Sequence, residues 1–361
     1  MKSKITVIII GLLFTFLSLR AWFKSADEFS ESERRVLAQM PAFNIENIVS
    51  GNFMSEFDYY ATDQFPMRDR FRTIKALSSY NLFLNKDNNK IYTEGEHVSK
   101  IEYPLSYSML EHATARFNHI CEKYLSDKNK VYLSIIPDKH YFLSRDRLSM
   151  DYQKLVEHMR EDMPYAEYID IFNCLDEEDY YYTDSHWRQE KLEKVVEALG
   201  EGMDFEINWD FTQKKANDQF YGVYSGQSAL PLKPEDLNYL TNEIIEGSVL
   251  KSYDTGKEKI VPIYDADAAT SRDPYEMFMS GPDALQVLEN PNAKTERELV
   301  IFRDSFASAI TPLITEAYSK ITLVDIRYIN SDMLSSFVDF ESSEVLFLYS
   351  STMLNNSMGM K

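Results

Sequence analysis

Hydrophobic positions along the chain fall into three kinds of pattern. From Ile5 to Leu19 they form an uncharged run, ITVIIIGLLFTFLSL, with Lys2 and Lys4 before it and Arg20 after it. Such a run at the start of a chain reads as a secretory signal or a signal anchor. No small-residue cleavage site follows in LRAWFKSAD, and the stretch from Ile5 to Phe23 nearly reaches the ~20 residues that a spanning helix needs. We therefore expect an uncleaved anchor with its positive end in the cytoplasm. Everything after Lys24 then lies outside the cytoplasm, which argues against ATP-dependent chemistry.

The second pattern, over residues 25–95, is a helical lead-in rich in charge and aromatics. SESERRVLAQMP predicts a short helix stopped by Pro41, and after Pro66 the positions Phe71, Ile74, Leu77, Tyr80 and Leu82 recur at helical spacing. The third pattern, over residues 96–361, alternates helix and strand. One helix carries Leu110, Ala113, Phe117, Ile120 and Tyr124 on one side. KVYLSIIPDK predicts a buried strand ended by Pro137, MDYQKLVEHMRED a helix and AEYIDIF a strand. A helix from Trp187 to Leu199 is expected next, with Gly200 as its left-handed cap. Residues 202–259 lack this rhythm and read as an insertion, with EKIVPIYDAD a candidate strand at its end. Then RELVIF, KITLVDIR and EVLFLYSS predict strands, separated by helices over FASAITPLITEAYS and DMLSSFVD. Near-continuous Val/Ile/Leu strands separated by helices predict an α/β fold, a mostly parallel sheet covered on both faces.

Composition narrows the function. The chain has 361 residues, 44% of them hydrophobic, enough for a packed core. Its net charge of −20 opposes nucleic acid and anionic lipid as partners. Neither Cys121 nor Cys174 lies in a C-x-x-C pair, and the six histidines show no H-x-H or H-x-x-x-H arrangement, so no metal site is expected. Their number permits one disulfide or two buried thiols.

In parallel sheets ligands bind beyond the carboxyl ends of the strands. ELVIF runs into Arg303-Asp304-Ser305-Phe306, placing Ser305 at a strand-to-helix turn. A nucleophile there profits from backbone N–H groups and the helix dipole, although Asp and Ser are also the commonest helix caps. Asp184 and His186, two residues apart in YYTDSHW, supply the base and the carboxylate that a serine nucleophile needs. Taken alone they read equally as a structural pair. Asp138 and His140 in IPDKHYF have the same spacing, but Pro137 and Lys139 argue for a loop lining the site. Arg327, at the end of VDIR, either orients a substrate hydroxyl or pairs with Asp325 or Asp304. Trp187, with Tyr181 and Tyr182, is either core or a sugar-stacking wall.

YYTDSHW, VIFRDSFASAITPLI and VDIRYI together resemble the DHHW proteins of Gram-positive bacteria and the alginate O-acetyltransferase group of the AlgJ/AlgX type. GNFMSEFDYYATDQFPMRDRF, DQFYGVYS and LENPNAKTERELVIFRDSF extend the resemblance over nearly the whole exported chain. Ser185 replaces the first His of the DHHW motif, and Arg303 stands where Gly or Lys is common. The resemblance implies an SGNH-hydrolase-like, three-layer α/β/α domain in permuted motif order, the Asp-x-His pair preceding the serine. It implies a triad of Ser305, His186 and Asp184, with the Ser305 N–H as first oxyanion donor. Gly281 in FMSGPDA and Ser225 or Gly226 in VYSGQS are candidates for the second. It further implies acetylation of a secreted or cell-surface polysaccharide, fed by a multi-spanning membrane acyltransferase and needing no cofactor. The acidic charge favours a neutral, cellulose-like glycan. An acetylesterase with the same triad, and a non-catalytic polysaccharide-binding or assembly protein, are the alternatives.

Overall fold

The computed structural model describes residues 2–144, 146–254, 256–341 and 343–361. They divide into two compact units, Met1–Asn89 with Ser225–Leu232, and Lys90–Tyr224 with Lys233–Lys361.

In the first unit the apolar run forms helix α1 (Lys2–Phe23). Its stretch Lys4–Phe23 is long and apolar enough to cross a membrane, and none of it is buried. The helix expected over SESERRVLAQMP does not form. Phe29–Ser30 pairs instead with Arg35–Val36 in a small antiparallel hairpin. Ion pairs to later residues hold this turn open: Arg35 meets Asp63 at 2.5 Å, and Glu33 meets Arg68 at 2.5 Å and Arg72 at 3.2 Å. Those partners sit on α2 (Asn52–Asp63) and α3 (Arg68–Leu77) or at their ends. Segment 225–232 belongs here because Gly226 presses on the hairpin. A Cβ on Gly226 would lie 1.4 Å from the Ser32 carbonyl oxygen, so only glycine fits, and Arg72 donates to the Gly226 carbonyl at 2.9 Å.

The second unit is built on an eight-stranded sheet. Its strands are β1 (Val131–Ile136), β2 (Glu167–Tyr168), β3 (Val249–Ser252), β4 (Lys259–Val261), β5 (Leu285–Glu289), β6 (Glu298–Arg303), β7 (Lys320–Val324) and β8 (Ser343–Ser350). They lie in the order β4-β3-β5-β7-β6-β8-β1-β2. From β7 to β2 every pairing is parallel, and β5, β3 and β4 extend the sheet antiparallel. Alternate residues of the central strands feed two cores, because successive side chains leave a strand on opposite faces. Leu299, Ile301, Leu346 and Leu348 pack on one side with Val195, Val196 and Leu199 of α6 (Glu193–Met203) and with Ala307, Ile310 and Leu313. Val300, Phe302, Val345 and Phe347 pack on the other with α4 (Tyr107–Tyr124) and α5 (Tyr152–Asp162). This is the expected three-layer α/β/α arrangement.

Several elements depart from expectation. β2 keeps two residues of AEYIDIF, and β5 arises in ALQVLEN, where no strand is expected. Helix α6 starts at Glu193 rather than Trp187 and ends at a left-handed Asp204 (φ 59°). Gly200 lies inside it, where a Cβ would come within 2.5 Å of the Phe205 carbonyl oxygen. FASAITPLITEAYS gives one α-turn, α7 (Ala307–Ile310), then a 3₁₀ run to Ala317. Pro312 removes a backbone donor there, and Thr311 and Thr315 bond back to the Ala307 and Thr311 carbonyls. DMLSSFVD is likewise 3₁₀ over Ser331–Ser336. Residues 202–259 hold two paired strands, Thr212–Phe220 and Glu235–Thr241, and also β3 of the central sheet. Both cysteines are free.

Candidate active site

Ser305 follows the carboxyl end of β6, flanked by β7 and β8. Its turn is pinned by Asp304, whose two carboxylate oxygens accept from the Phe306 N–H (3.0 Å) and from the Ser350 N–H at the end of β8 (2.8 Å). Asp184 and His186 do not follow a long strand into a helix. They ride on a loop closed by a Tyr180–Trp187 bridge, with the Tyr181 N–H on the His186 carbonyl (3.1 Å).

The structure brings these three residues into line. His186 Nδ1 lies 2.6 Å from Asp184 Oδ1, and Nε2 lies 2.8 Å from Ser305 Oγ. An ionised carboxylate only accepts, so the ring proton sits on Nδ1 and the bare Nε2 accepts from the serine hydroxyl. Asp184 is buried, and its Oδ1 and Oδ2 also accept from the His186 and Val223 N–H groups at 3.1 and 2.8 Å. The Tyr275 ring stacks on the imidazole, centroids 3.8 Å apart and planes within 11°.

Residues to which the sequence assigns no role hold the loop in place. Glu235 accepts from the Tyr182 and Thr183 N–H groups and from Thr183 Oγ1, each at 2.8 Å, and pairs with Arg188 at 2.9 Å. The Gly222 N–H donates to Thr183 Oγ1 at 2.9 Å, and a Cβ on Gly222 would stand 2.4 Å from Asp184 Cβ. Lys139 is wholly buried and donates to the carbonyls of Tyr181, Tyr182 and Asp184 at 2.8, 3.1 and 2.8 Å. Burial pushes its ammonium down to about 7, against the pull of Asp184 and Glu235. The signal for Gly222 was present in DQFYGVYS, a glycine amid aromatics. A lone buried lysine leaves none.

The remaining candidates are placed as follows. Ser305 and His186 open onto a cleft of about 180 Å³ lined also by Asp273, Tyr275, Glu276, Gly281, Ser308 and Arg327. Arg327 is gripped by the buried Asp325 (2.5 Å). Gly281 (φ 96°) engages its N–H with the Phe278 carbonyl at 3.3 Å, which removes it as an oxyanion donor. Ser225 and Gly226 belong to the other unit. Trp187 is core rather than a sugar platform: it is fully buried, and its indole N–H donates to the Phe306 carbonyl at 3.0 Å. Tyr181 is fully buried too. His140 is buried between Tyr92 Oη (2.8 Å) and the Leu148 carbonyl (2.9 Å), and Asp138 accepts from Tyr152 and Ser351. The loop expected there is instead the short helix Lys139–Leu143, capped by Asp138, and the pair serves its packing and does not line the cleft. Among the described residues no group of three or more His, Cys, Asp and Glu is placed to hold a metal ion.

No protein-family model and no curated protein sequence matches the chain. Solved structures do. A DHHW family protein from Eubacterium siraeum superposes with a TM-score of 0.60 at 17% identity, over 76% of this chain and 95% of that one. PatB1 of Bacillus cereus gives a TM-score of 0.60 at 18% identity, over 74% of this chain and 97% of that one. PatB1 with a sulfonyl adduct gives 0.58 at 18%, over 74% and 96%. At such identities the likeness speaks for the fold: this chain shares the α/β/α architecture of the DHHW family protein and of PatB1, and in its own sequence the Asp-x-His pair precedes the serine.

Proposed function

We propose that the protein is a membrane-anchored, extracytoplasmic O-acetyltransferase that acetylates a secreted or cell-surface polysaccharide. The observation that carries this reading is the hydrogen-bonded line Asp184–His186–Ser305, with steps of 2.6 and 2.8 Å, open to a cleft. A serine whose proton is taken up by an oriented imidazole is equipped for acyl transfer. Ser305 Oγ attacks the acetyl carbonyl while its proton passes to His186 Nε2. The imidazolium, stabilised by Asp184, gives that proton to the leaving group, and an acetyl-enzyme remains. A sugar hydroxyl then loses its proton to His186 and takes the acetyl group from Ser305. PatB1 carrying a sulfonyl adduct supports a reactive group in this architecture, and here Ser305 is the hydroxyl equipped to form one.

The donor is an acetyl group exported by a multi-spanning membrane acyltransferase, and α1 keeps the enzyme at that membrane. The acceptor is a neutral glycan, in keeping with the net charge of −20 and with Asp273 and Glu276 on the cleft. The full chain in detergent is expected to release acetate from an aryl acetate and to acetylate a neutral oligosaccharide, read by mass spectrometry. Ser305→Ala should abolish both with folding intact, and full activity in that variant would sink the assignment. Acetate release without any transfer would make the protein an esterase. Glycan binding without either activity would make it a binding protein.

A further inference from the structure

Acyl transfer needs two donors for the oxygen that becomes negative in the tetrahedral intermediate, and the backbone supplies one. The Ser305 N–H makes no hydrogen bond to another described residue, and the Gly281 N–H is engaged with Phe278. Ser308 lies one turn on from Ser305, its N–H on the Ser305 carbonyl (3.2 Å), and it lines the same cleft. Its Oγ accepts from Arg303 Nη1 at 2.9 Å. A guanidinium only donates, so the hydroxyl hydrogen of Ser308 is turned away from Arg303, and no described residue accepts it.

Arg303 is an unusual neighbour for a nucleophile. It is fully buried, and it reaches Ser308 and, through Nη2, Gln286 Oε1 (2.9 Å), with no hydrogen bond to a carboxylate. Its Nε has no partner among the described residues. Gln286 is fixed in turn, because its Nε2 donates to the Met279 carbonyl and so aims Oε1 at Arg303. Burying a charge so sparsely partnered is unfavourable in itself. What it provides is a fixed positive group behind the Ser308 hydroxyl, which strengthens that hydroxyl as a donor.

We infer that Ser308 is the side-chain oxyanion donor, aimed and polarised by Arg303, which acts through it as a positioning residue. The inference rests on the acyl-transfer reading. As Ser305 Oγ bonds to the acetyl carbon and its proton moves to His186 Nε2, the carbonyl π pair moves onto oxygen. That oxygen accepts from the Ser305 N–H and the Ser308 O–H. When the pair returns, the leaving alcohol departs with the proton from His186.

The test uses the full chain, an aryl acetate as substrate, and phenylboronic acid, whose tetrahedral adduct with serine carries the same oxyanion. Ser308→Ala should lower kcat/KM about a hundredfold, of the order seen when one oxyanion donor is removed. KM should change less than threefold, and boronate affinity should fall in parallel with kcat. Ser308→Thr, which keeps the hydroxyl, should recover most of that loss. Arg303→Lys should give an intermediate loss with the same parallel. Wild-type boronate affinity in Ser308→Ala, whatever its rate, overturns the inference. A wild-type protein that neither hydrolyses the ester nor takes the boronate overturns the acyl-transfer reading as well.

Discussion

The buried ammonium of Lys139 lies 2.8 Å from the carbonyl oxygen of Asp184, so a lysine at the start of the short helix Lys139–Leu143 after β1 fixes the backbone of the residue that orients His186. Three donors meet three carbonyls. Lys139→Met should therefore lower kcat by roughly tenfold or more, since small misplacements of a catalytic group are costly. It should also change the pH dependence of stability. The folded pKa of about 7 lies below the ~10.4 of an exposed lysine. Between those values the unfolded chain binds more protons, so this group's contribution to stability rises with pH. Denaturant melts from pH 7 to 10 should show the gap between wild type and Lys139→Met widening, and a constant gap would contradict it.

Gly222 packs against the same residue, Asp184. A methyl group there would stand 2.4 Å from both Asp184 Cβ and its backbone nitrogen, atoms with little freedom to retreat. Gly222→Ala should cost about a hundredfold in kcat while leaving the far-ultraviolet circular dichroism unchanged. Activity within threefold of wild type would show that the loop yields.

Tyr275 separates stacking from hydrogen bonding. Its ring covers His186, but its buried hydroxyl has no hydrogen-bond partner among the described residues, the nearby Trp187 N–H being given to Phe306. Tyr275→Phe should keep kcat within twofold and leave stability equal or slightly higher, because an unpaired buried hydroxyl is lost. Tyr275→Ala should lower kcat/KM about tenfold, in line with ~0.5–1.5 kcal/mol for an aromatic contact.

Glu235 is the anchor of the Tyr182–Thr183 turn, with four hydrogen bonds from that turn and Arg188. Glu235→Ala leaves Arg188 unpaired and two N–H groups bare. We expect a loss of about 3–5 kcal/mol in denaturant titration, accompanied by loss of esterase activity. Glu235→Gln, which keeps an acceptor for Thr183, should fall between.

The sequence made the scaffold and the line of Asp184, His186 and Ser305 legible because both are written in local patterns. β1, β6, β7 and β8 are near-continuous apolar runs, and Ser305 follows the end of one of them. Asp184 and His186 are two residues apart, so their pairing needed only the right loop. What was hidden depends on contacts between distant segments. Glu235 reaches back 52 residues to Thr183, and Lys139 reaches forward 45 to Asp184. Trp187 illustrates the same point. Beside the motif it looked equally fit to stack on sugar, and only the Phe306 carbonyl, 119 residues on, places it in the core. The helix expected over residues 30–41 was lost for a related reason. Its charges are matched to arginines and an aspartate on α2 and α3, and those pairs outweigh a short helix of its own.

The two arms of the Asp184–His186–Ser305 line are secured in different ways. Ser305 is tied through Asp304 to Ser350 at the end of β8, in the middle of the sheet. His186 depends on a loop held by a lysine, a glutamate and a close-packed glycine. Amide protons around residues 299–304 should therefore exchange with solvent at the rate of whole-domain opening, and those around 181–186 sooner. On the proposed acyl-transfer reading, heat then takes His186 away from a Ser305 that is still in place, so inactivation runs ahead of melting and reverses on cooling.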